Sequence, residues 1–449
     1  MNTNSTHSIK DNITLCEAKK LSPFTINSQH TFLSLNKVKI YVVDEIMGKG
    51  KTSAALNYIN NSDNTERFIY ISPYLTEVDR VKEYCACKEF KEPKVYGTKL
   101  QGLKHLLKQN ENIVTTHALF YLFDVEIIEL IKTQEYTLIM DEVVDVVFPF
   151  YVSPDDAKTL EKYTYTENNV LKWKQEYKDY VGKFTKEKNM CETNSLVKHK
   201  DKLLWLFPIH IFTSFKEIYV LTFLFNAQVQ RCYYDYYNLE YEYRYVKGYS
   251  PDTYEFTNTS STLPDISPLI KIYEGKINNI GEKDFSLSKK WYKYNDLSQL
   301  QKNTFNYFNN ILHSRSSNNI WTTFKHYKQD VSGKGYTKGF VSSNMRATNK
   351  YRDRSSVAYL INKYFNPVVK QFFEQNNIEM DEQGYALSEM LQFIWRSCIR
   401  DGKPINLYLP SKRMRNILKN WLEENKSIIE TTDTNTTETT MVKYDKKSI

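Results

Sequence analysis

The stretch that most restricts what this chain can fold into is Gly48-Lys49-Gly50-Lys51-Thr52, set between a β-branched run at 37–43 and a helical pattern at 52–59. A glycine-bearing turn that joins a buried strand to a helix points backbone N–H groups at one spot, where anions bind. The pattern G-x-x-x-x-G-K-[ST] adds a lysine for the β- and γ-phosphates and a hydroxyl for a metal. Residues 45–52 meet it at every fixed position but the first, where Glu45 stands in place of glycine. An ordinary basic turn would need neither the strand before it nor the helix after it. The chain is expected to hold a nucleoside triphosphate on Gly48, Lys49, Gly50, Lys51, Thr52 and Ser53.

Binding becomes hydrolysis only with acids in the right place. The apolar run at 136–140 ends in Asp141-Glu142. One carboxylate there holds Mg²⁺ with the loop hydroxyl, and a second orients and deprotonates the attacking water. The roles expected are Lys51 on the phosphates, Thr52 and Asp141 on Mg²⁺, and Glu142 as base, with ATP and Mg²⁺ as cofactors. Asp145 is read as a cap or a solvent-facing residue. GTPases and nucleotide kinases usually lack the second acid; helicases, translocases and packaging motors need it.

Strand patterns at 37–43, 67–71, 112–116, 136–140 and 218–225 alternate with helical ones at 52–59, 76–84 and 118–132. Such alternation predicts an α/β fold with a parallel, doubly wound sheet, whose ligands sit at the strands' carboxyl ends. A Tyr- and Lys-rich segment at about 153–205 reads as a helical insertion. Further strands are expected at 269–273, 319–324, 339–343, 356–360 and 405–409. The boundaries that follow are a flexible segment at 1–35, a first domain at 36–245, a second at 246–423, and a disordered tail at 424–449, where apolar residues are sparse.

Composition bounds the rest. With 41% hydrophobic residues the chain can build cores, and no apolar run approaches the ~18 residues of a membrane span. No signal-peptide pattern opens it. A cytoplasmic protein without a membrane partner is expected. Six cysteines give neither a disulfide framework nor a second pair at zinc spacing. The net charge of +8 permits a polyanion partner without demanding one.

In series, these motifs resemble the superfamily 2 helicases (DEAD/DEAH-box-like), and more narrowly the helicase-like ATPases of tailed bacteriophages of low-GC bacteria, over about 37–422. The resemblance implies two RecA-like parallel-sheet domains in tandem with a nucleotide cleft between them. It implies that Ser72 and Pro73 (in 68–77) and Thr115 and Thr116 (in 113–119) contact the nucleic-acid backbone. Segments 205–208 and 220–225 fall where the coupling motif belongs, with Thr222 in that role. In 346–351, Thr348 and Asn349 would contact nucleotide and strand. Residues 392–402 look like the final motif, Q-x-x-G-R-x-x-R, which supplies Gln392, Arg396 and Arg400 to the catalytic set. Here Trp395 replaces the glycine and the second arginine comes one residue late, so Arg396 is the first choice for the arginine finger. A helix-face charge pair on solvent accounts for the same two arginines.

Lys334, Lys338, Arg346, Lys350, Arg352, Arg354, Lys412, Arg413 and Arg415 gather in the second half, with Trp321, Tyr336 and Tyr351 among them. Phosphate contacts plus stacking would suit a single strand; a solvated basic face explains the same residues. The function implied is an ATP-dependent helicase or translocase in phage DNA replication or recombination. Its implied partners are single-stranded or forked DNA and replication proteins. A terminase-type packaging ATPase and an origin-binding or loading ATPase switch also fit the loop and the acids. The terminase would continue into a nuclease with clustered aspartates, where this chain scatters Asp330, Asp353, Asp381 and Asp401.

Overall fold

Runs rich in Val, Ile and aromatic residues suit a pleated surface. They become strands in the computed structural model, which describes residues 38–94, 97–260, 263–343 and 350–426. The first four are β1 (Lys39–Asp44), β2 (Phe68–Ser72), β3 (Ile113–Thr116) and β4 (Thr137–Asp141), with α1 (Lys51–Asn61) after β1 and α2 (Leu75–Tyr84) after β2. Next come β5 (Val147–Phe150), β6 (Thr164–Glu167), β7 (Val170–Trp173), β8 (Leu196–His199) and β9 (Lys202–Leu206). The chain then adds β10 (Glu217–Thr222), β11 (Glu242–Lys247) and β12 (Glu255–Thr257), and ends with β13 (Ile270–Ile272), β14 (Asn319–Thr322), β15 (Ser356–Tyr359) and β16 (Ile405–Tyr408).

A first lobe is built on a seven-stranded sheet in the order β12-β11-β1-β10-β4-β2-β3. All its pairings are parallel except β11 with β12. Its central strands bury both faces, so they supply two cores by alternation. In β2, Ile69 and Ile71 enter one core while Phe68 and Tyr70 enter the other, where α1 adds Ala54, Ala55, Leu56 and Ile59. A second lobe carries the parallel sheet β13-β16-β15-β14. The mixed α/β class with parallel sheets is thus as expected.

Four expectations need correction. The insertion is not mainly helical: β5-β9-β8-β7-β6 form an antiparallel sheet, flanked by helices Pro154–Tyr163 and Thr185–Glu192. Its hairpins turn on pairs of residues. Asn168 and Asn169 (φ 48° and 64°) close β6 to β7, and Lys200 (φ 55°) opens the turn from β8 to β9. Asparagine tolerates this left-handed backbone, which matches the twist of the flanking strands. The boundary at 245 falls inside β11, whose Val246 is buried in the first lobe, so that lobe's sheet runs on to Thr257. Residues 339–343 make only one bridge, Trp321 to Phe340, because the run has just two apolar residues and begins at the end of a short helical turn. The helix expected over 118–132 is broken near 121–124, where the Asp124 carboxylate caps a new helix by accepting from Ile127 N–H at 3.1 Å.

Two helices tie the lobes together. Helix Pro367–Gln375 follows β15, yet it buries Val369, Phe372 and Phe373 in a core of the first lobe. There Phe372 lies 5.1 Å from the ring of Tyr236 and 5.6 Å from that of His199. Helix Glu382–Ile394 lies against the segment after β10, where Ser388 Oγ donates to Phe223 O at 3.2 Å and accepts from Gln228 Nε2 at 2.8 Å.

Packing is tight enough in the second lobe to make a stability prediction. A Cβ added to buried Gly281 would stand 1.9 Å from the carbonyl oxygen of Pro410. Gly281→Ala is expected to destabilise the protein by about 1–3 kcal/mol through overpacking, seen as a lower urea midpoint. An unchanged midpoint would show that the 410–411 backbone yields freely. Among the described residues, no helix is long and apolar enough to cross a membrane.

Candidate active site

β1 ends at Asp44, and the chain turns back through Gly48 (φ 86°) and Gly50 (φ 88°) before α1 begins at Lys51. Both glycines hold the left-handed backbone that other residues avoid. No side chain caps α1, so its first N–H groups face the loop's concavity without a capping oxygen. Lys51 is buried, and its ammonium donates to the carbonyls of Glu45 and of Ile46, the latter at 3.2 Å. Burial lowers its pKa, outweighing the pull of Glu142, Asp44 and Asp141.

Glu45, the departure from the glycine pattern, is buried and structural. Its N–H donates to Thr222 O at 3.1 Å, and its carboxylate accepts from Val246 N–H at 3.2 Å. A glycine there would keep the first bond and lose the second. The loop is thereby sewn to both β10 and β11.

β4 delivers the acids. Burial, with Glu142 and Glu77 adding to it, pushes the Asp141 carboxyl up to about 7 against the opposing charges of Lys51 and Arg80. Glu142 stands in the left-handed region (φ 69°), held there by its N–H donating to Leu221 O at 2.9 Å. Its Oε2 is buried and accepts no hydrogen bond. Leaving an acceptor so is costly, and it is what a position reserved for a polarised water would leave. Among the described residues no three His, Cys, Asp or Glu side chains converge on a metal position. Mg²⁺ fits regardless, because it binds through one or two carboxylates plus substrate phosphates, and Thr52 and Asp141 line the same hollow.

That hollow is a cleft of about 350 Å³, lined from the first lobe by Met47, Gly48, Gly50, Lys51, Thr52, Ser53, Glu77, Arg80, Asp141, Glu142, Pro251 and Tyr254. Gln392, Trp395, Arg396 and Arg400 complete it from the second lobe. Of the expected phosphate, metal and catalytic residues, only Lys49 is outside the lining. Arg396 is buried and donates to the carbonyls of Ser342 and Ser343, each at 3.2 Å. Arg400 reaches the loop: its Cγ lies 3.9 Å from where a Cβ on Gly48 would stand.

Those of the expected strand-contacting residues that are described are not among this lining. Ser72 ends β2 and Pro73 follows it, and Thr115 and Thr116 end β3, with Ser72 and Thr116 paired in register. Ser72 and Thr115 are buried. Thr348, Asn349 and Arg346 lie outside the described residues. Thr222 ends β10 beside Asp44, and its hydroxyl is buried without a hydrogen-bond partner. The aromatic stacking expected in the second half is overturned, because Trp321, Tyr336 and Tyr351 are core residues. Three basic residues there also serve the fold. Arg354 donates to Asn319 O, Arg413 to Asn362 Oδ1 and Lys363 O, and Arg415 to Glu282.

Sequence reasoning missed several groups. Glu77 and Arg80 form an ion pair of 3.2 Å on α2; their i,i+3 spacing was visible, but not the side they face. Asp44 accepts from Leu224 N–H at 2.7 Å and Phe225 N–H at 3.0 Å, contacts that no local pattern encodes. Pro251 and Tyr254 arrive from a turn placed beyond the first domain.

Comparison with known proteins agrees with this division of the chain. A family model described as the YonV C-terminal Rossmann-like domain matches residues 264–422, and one described as the YonV middle domain matches 147–205, the span of β5 to β9. The SPbeta prophage-derived uncharacterized protein YonV of Bacillus subtilis (strain 168) is 41% identical over 407 residues, which cover 86% of this chain and 99% of that protein. Among solved structures, S. tokodaii Xpd4 aligns with a TM-score of 0.43 and 10% identity over 86% of this chain and 94% of its own. A likeness at that level carries no argument about activity.

Proposed function

The chain belongs to the YonV family, and we propose that it is an ATP-driven nucleic-acid motor, a helicase or translocase acting on DNA in phage replication or recombination. One observation carries the reading: a single cleft is lined by the phosphate loop and paired acids of one lobe and by Gln392, Arg396 and Arg400 of the other. On this reading the lobes are RecA-like motor domains, and the cleft between them closes on ATP.

Each residue then has a task. Gly48 and Gly50 aim the loop's N–H groups at the phosphates, and Lys51 exchanges the carbonyls of Glu45 and Ile46 for β- and γ-phosphate oxygens. Thr52 and Asp141 would hold Mg²⁺, which would supply positive charge to offset that of the transferred phosphoryl group. Glu142 aligns the attacking water and takes its proton at Oε2. Arg400 reaches the γ-phosphate from the second lobe, and Arg396 and Gln392 position the segment that carries it. The segment after Thr222 touches Asp44 on one side and Ser388 on the other, so movement at the loop reaches the second lobe. Ser72, Pro73, Thr115, Thr116, Thr348 and Asn349 are the residues proposed to hold the strand.

The test is ATP turnover by the full chain alone and with single-stranded DNA, duplex DNA or RNA. Stimulation is expected, strongest with single-stranded DNA. Lys51→Ala should lower the stimulated rate by at least about 100-fold. If no nucleic acid stimulated turnover, or Lys51→Ala left it unchanged, the motor reading would be wrong.

A further inference from the structure

We infer that Tyr254 is the stacking platform for the nucleobase, so that the site takes nucleoside triphosphates by the flat face of the base. The inference rests on the nucleotide reading of the loop.

Tyr254 lines the phosphate cleft although it lies two hundred residues after Gly50 in sequence. A Cβ placed on Gly50 would meet its Cγ, Cδ2 and Cε2 alike at 2.7 Å. Equal distances to three consecutive ring carbons put Gly50 over the face of the ring, since an edge approach would leave two of them farther away. Gly50 is therefore glycine for a second reason beyond its φ: any side chain would push the ring off the loop.

The ring is also held in place before any ligand arrives. Asn57, on α1, donates through Nδ2 to the carbonyls of Pro251 and Tyr254, both at 2.9 Å. The Tyr84 hydroxyl lies 3.1 Å from Asn57 Oδ1 and 3.0 Å from Asp252 Oδ1. A capping box between Ser250 and Thr253 closes the turn. Ring, turn and phosphate loop thus share one helix as their support, and a support fixed in advance lowers the ordering cost of binding.

Tyr254 also borders a second hollow that runs along α1 and is lined by Ala54, Asn57, Tyr58 and Phe256 among others. Tyr254 thus lines both hollows; with one face of its ring against Gly50, the opposite face is the one inferred to take the base. Every base presents a π-face, so stacking on Tyr254 does not by itself favour one base over another.

The test compares Mg²⁺-ATP with Mg²⁺-tripolyphosphate, by titration calorimetry on the full chain, for wild type, Tyr254→Ala and Tyr254→Phe. Alanine should weaken ATP about tenfold or more, the scale of base–aromatic stacking, and leave tripolyphosphate within about twofold. Phenylalanine should restore ATP. Equal weakening of both ligands would make Tyr254 a prop for the loop and overturn the inference. So would an ATP affinity that alanine leaves unchanged. Wild type that bound neither ligand would overturn the nucleotide reading itself, and this inference with it.

Discussion

Alanine at Arg400 is expected to cut ATP turnover by about 10³-fold or more, the scale of an arginine finger, while nucleotide affinity changes little. The motif match alone favours Arg396, but the two arginines are placed differently. Arg396 is buried with its guanidinium on the carbonyls of Ser342 and Ser343, so it anchors the edge of the second lobe. Arg400 lies beside Gly48, where burial, with Arg352 and Arg80 adding to it, lowers its pKa against the opposing pull of Asp401 and Glu77. An arriving polyanion offsets the cost of burying that charge. Arg396→Ala should instead destabilise the lobe by about 1–3 kcal/mol, because two carbonyls lose a charged donor. Single-turnover rates together with urea midpoints separate the two. A stable Arg396→Ala that lost turnover, beside a fully active Arg400→Ala, would reverse the assignment.

Glu142→Gln should lower the rate of the chemical step by about 10²–10⁴-fold, the contribution of a positioned general base, and leave ATP binding intact. The amide keeps the shape of the side chain and tolerates the same backbone, so the turn at φ 69° and the bond to Leu221 persist. What disappears is a base at the buried Oε2. Rapid-quench measurement of the first turnover, with ATP affinity measured in parallel, reads the two effects separately. Loss of affinity equal to the loss of rate would show that Glu142 holds the nucleotide and does not activate water.

What could be read from the chain alone divides along a physical line. Gly48 to Thr52 and Asp141-Glu142 were legible because strand, turn and helix N-terminus are local events, and each needs particular residues within a few positions. Alternating strands and helices gave the parallel sheets for the same reason. The insertion was misread because its strands β6 and β7 are four residues each, too short for a period to stand out among lysines and tyrosines. The Asn168-Asn169 pair was the available clue to a hairpin. Tyr254, Glu77 and Asp44 could not be found, because each is defined by a partner far away in sequence: Gly50, Arg400's neighbourhood and Leu224. The stacking assigned to Trp321 and Tyr336 failed because large aromatics in a mixed sequence serve cores at least as readily as ligands.

The helix Pro367–Gln375 sets how the lobes respond to their surroundings. It joins them largely through the apolar side chains of Val369, Phe372 and Phe373. Apolar association is weakened by cooling, unlike the charge and hydrogen-bond contacts that line the cleft. The apolar part of this joint is therefore weakest in the cold and firms as the protein warms.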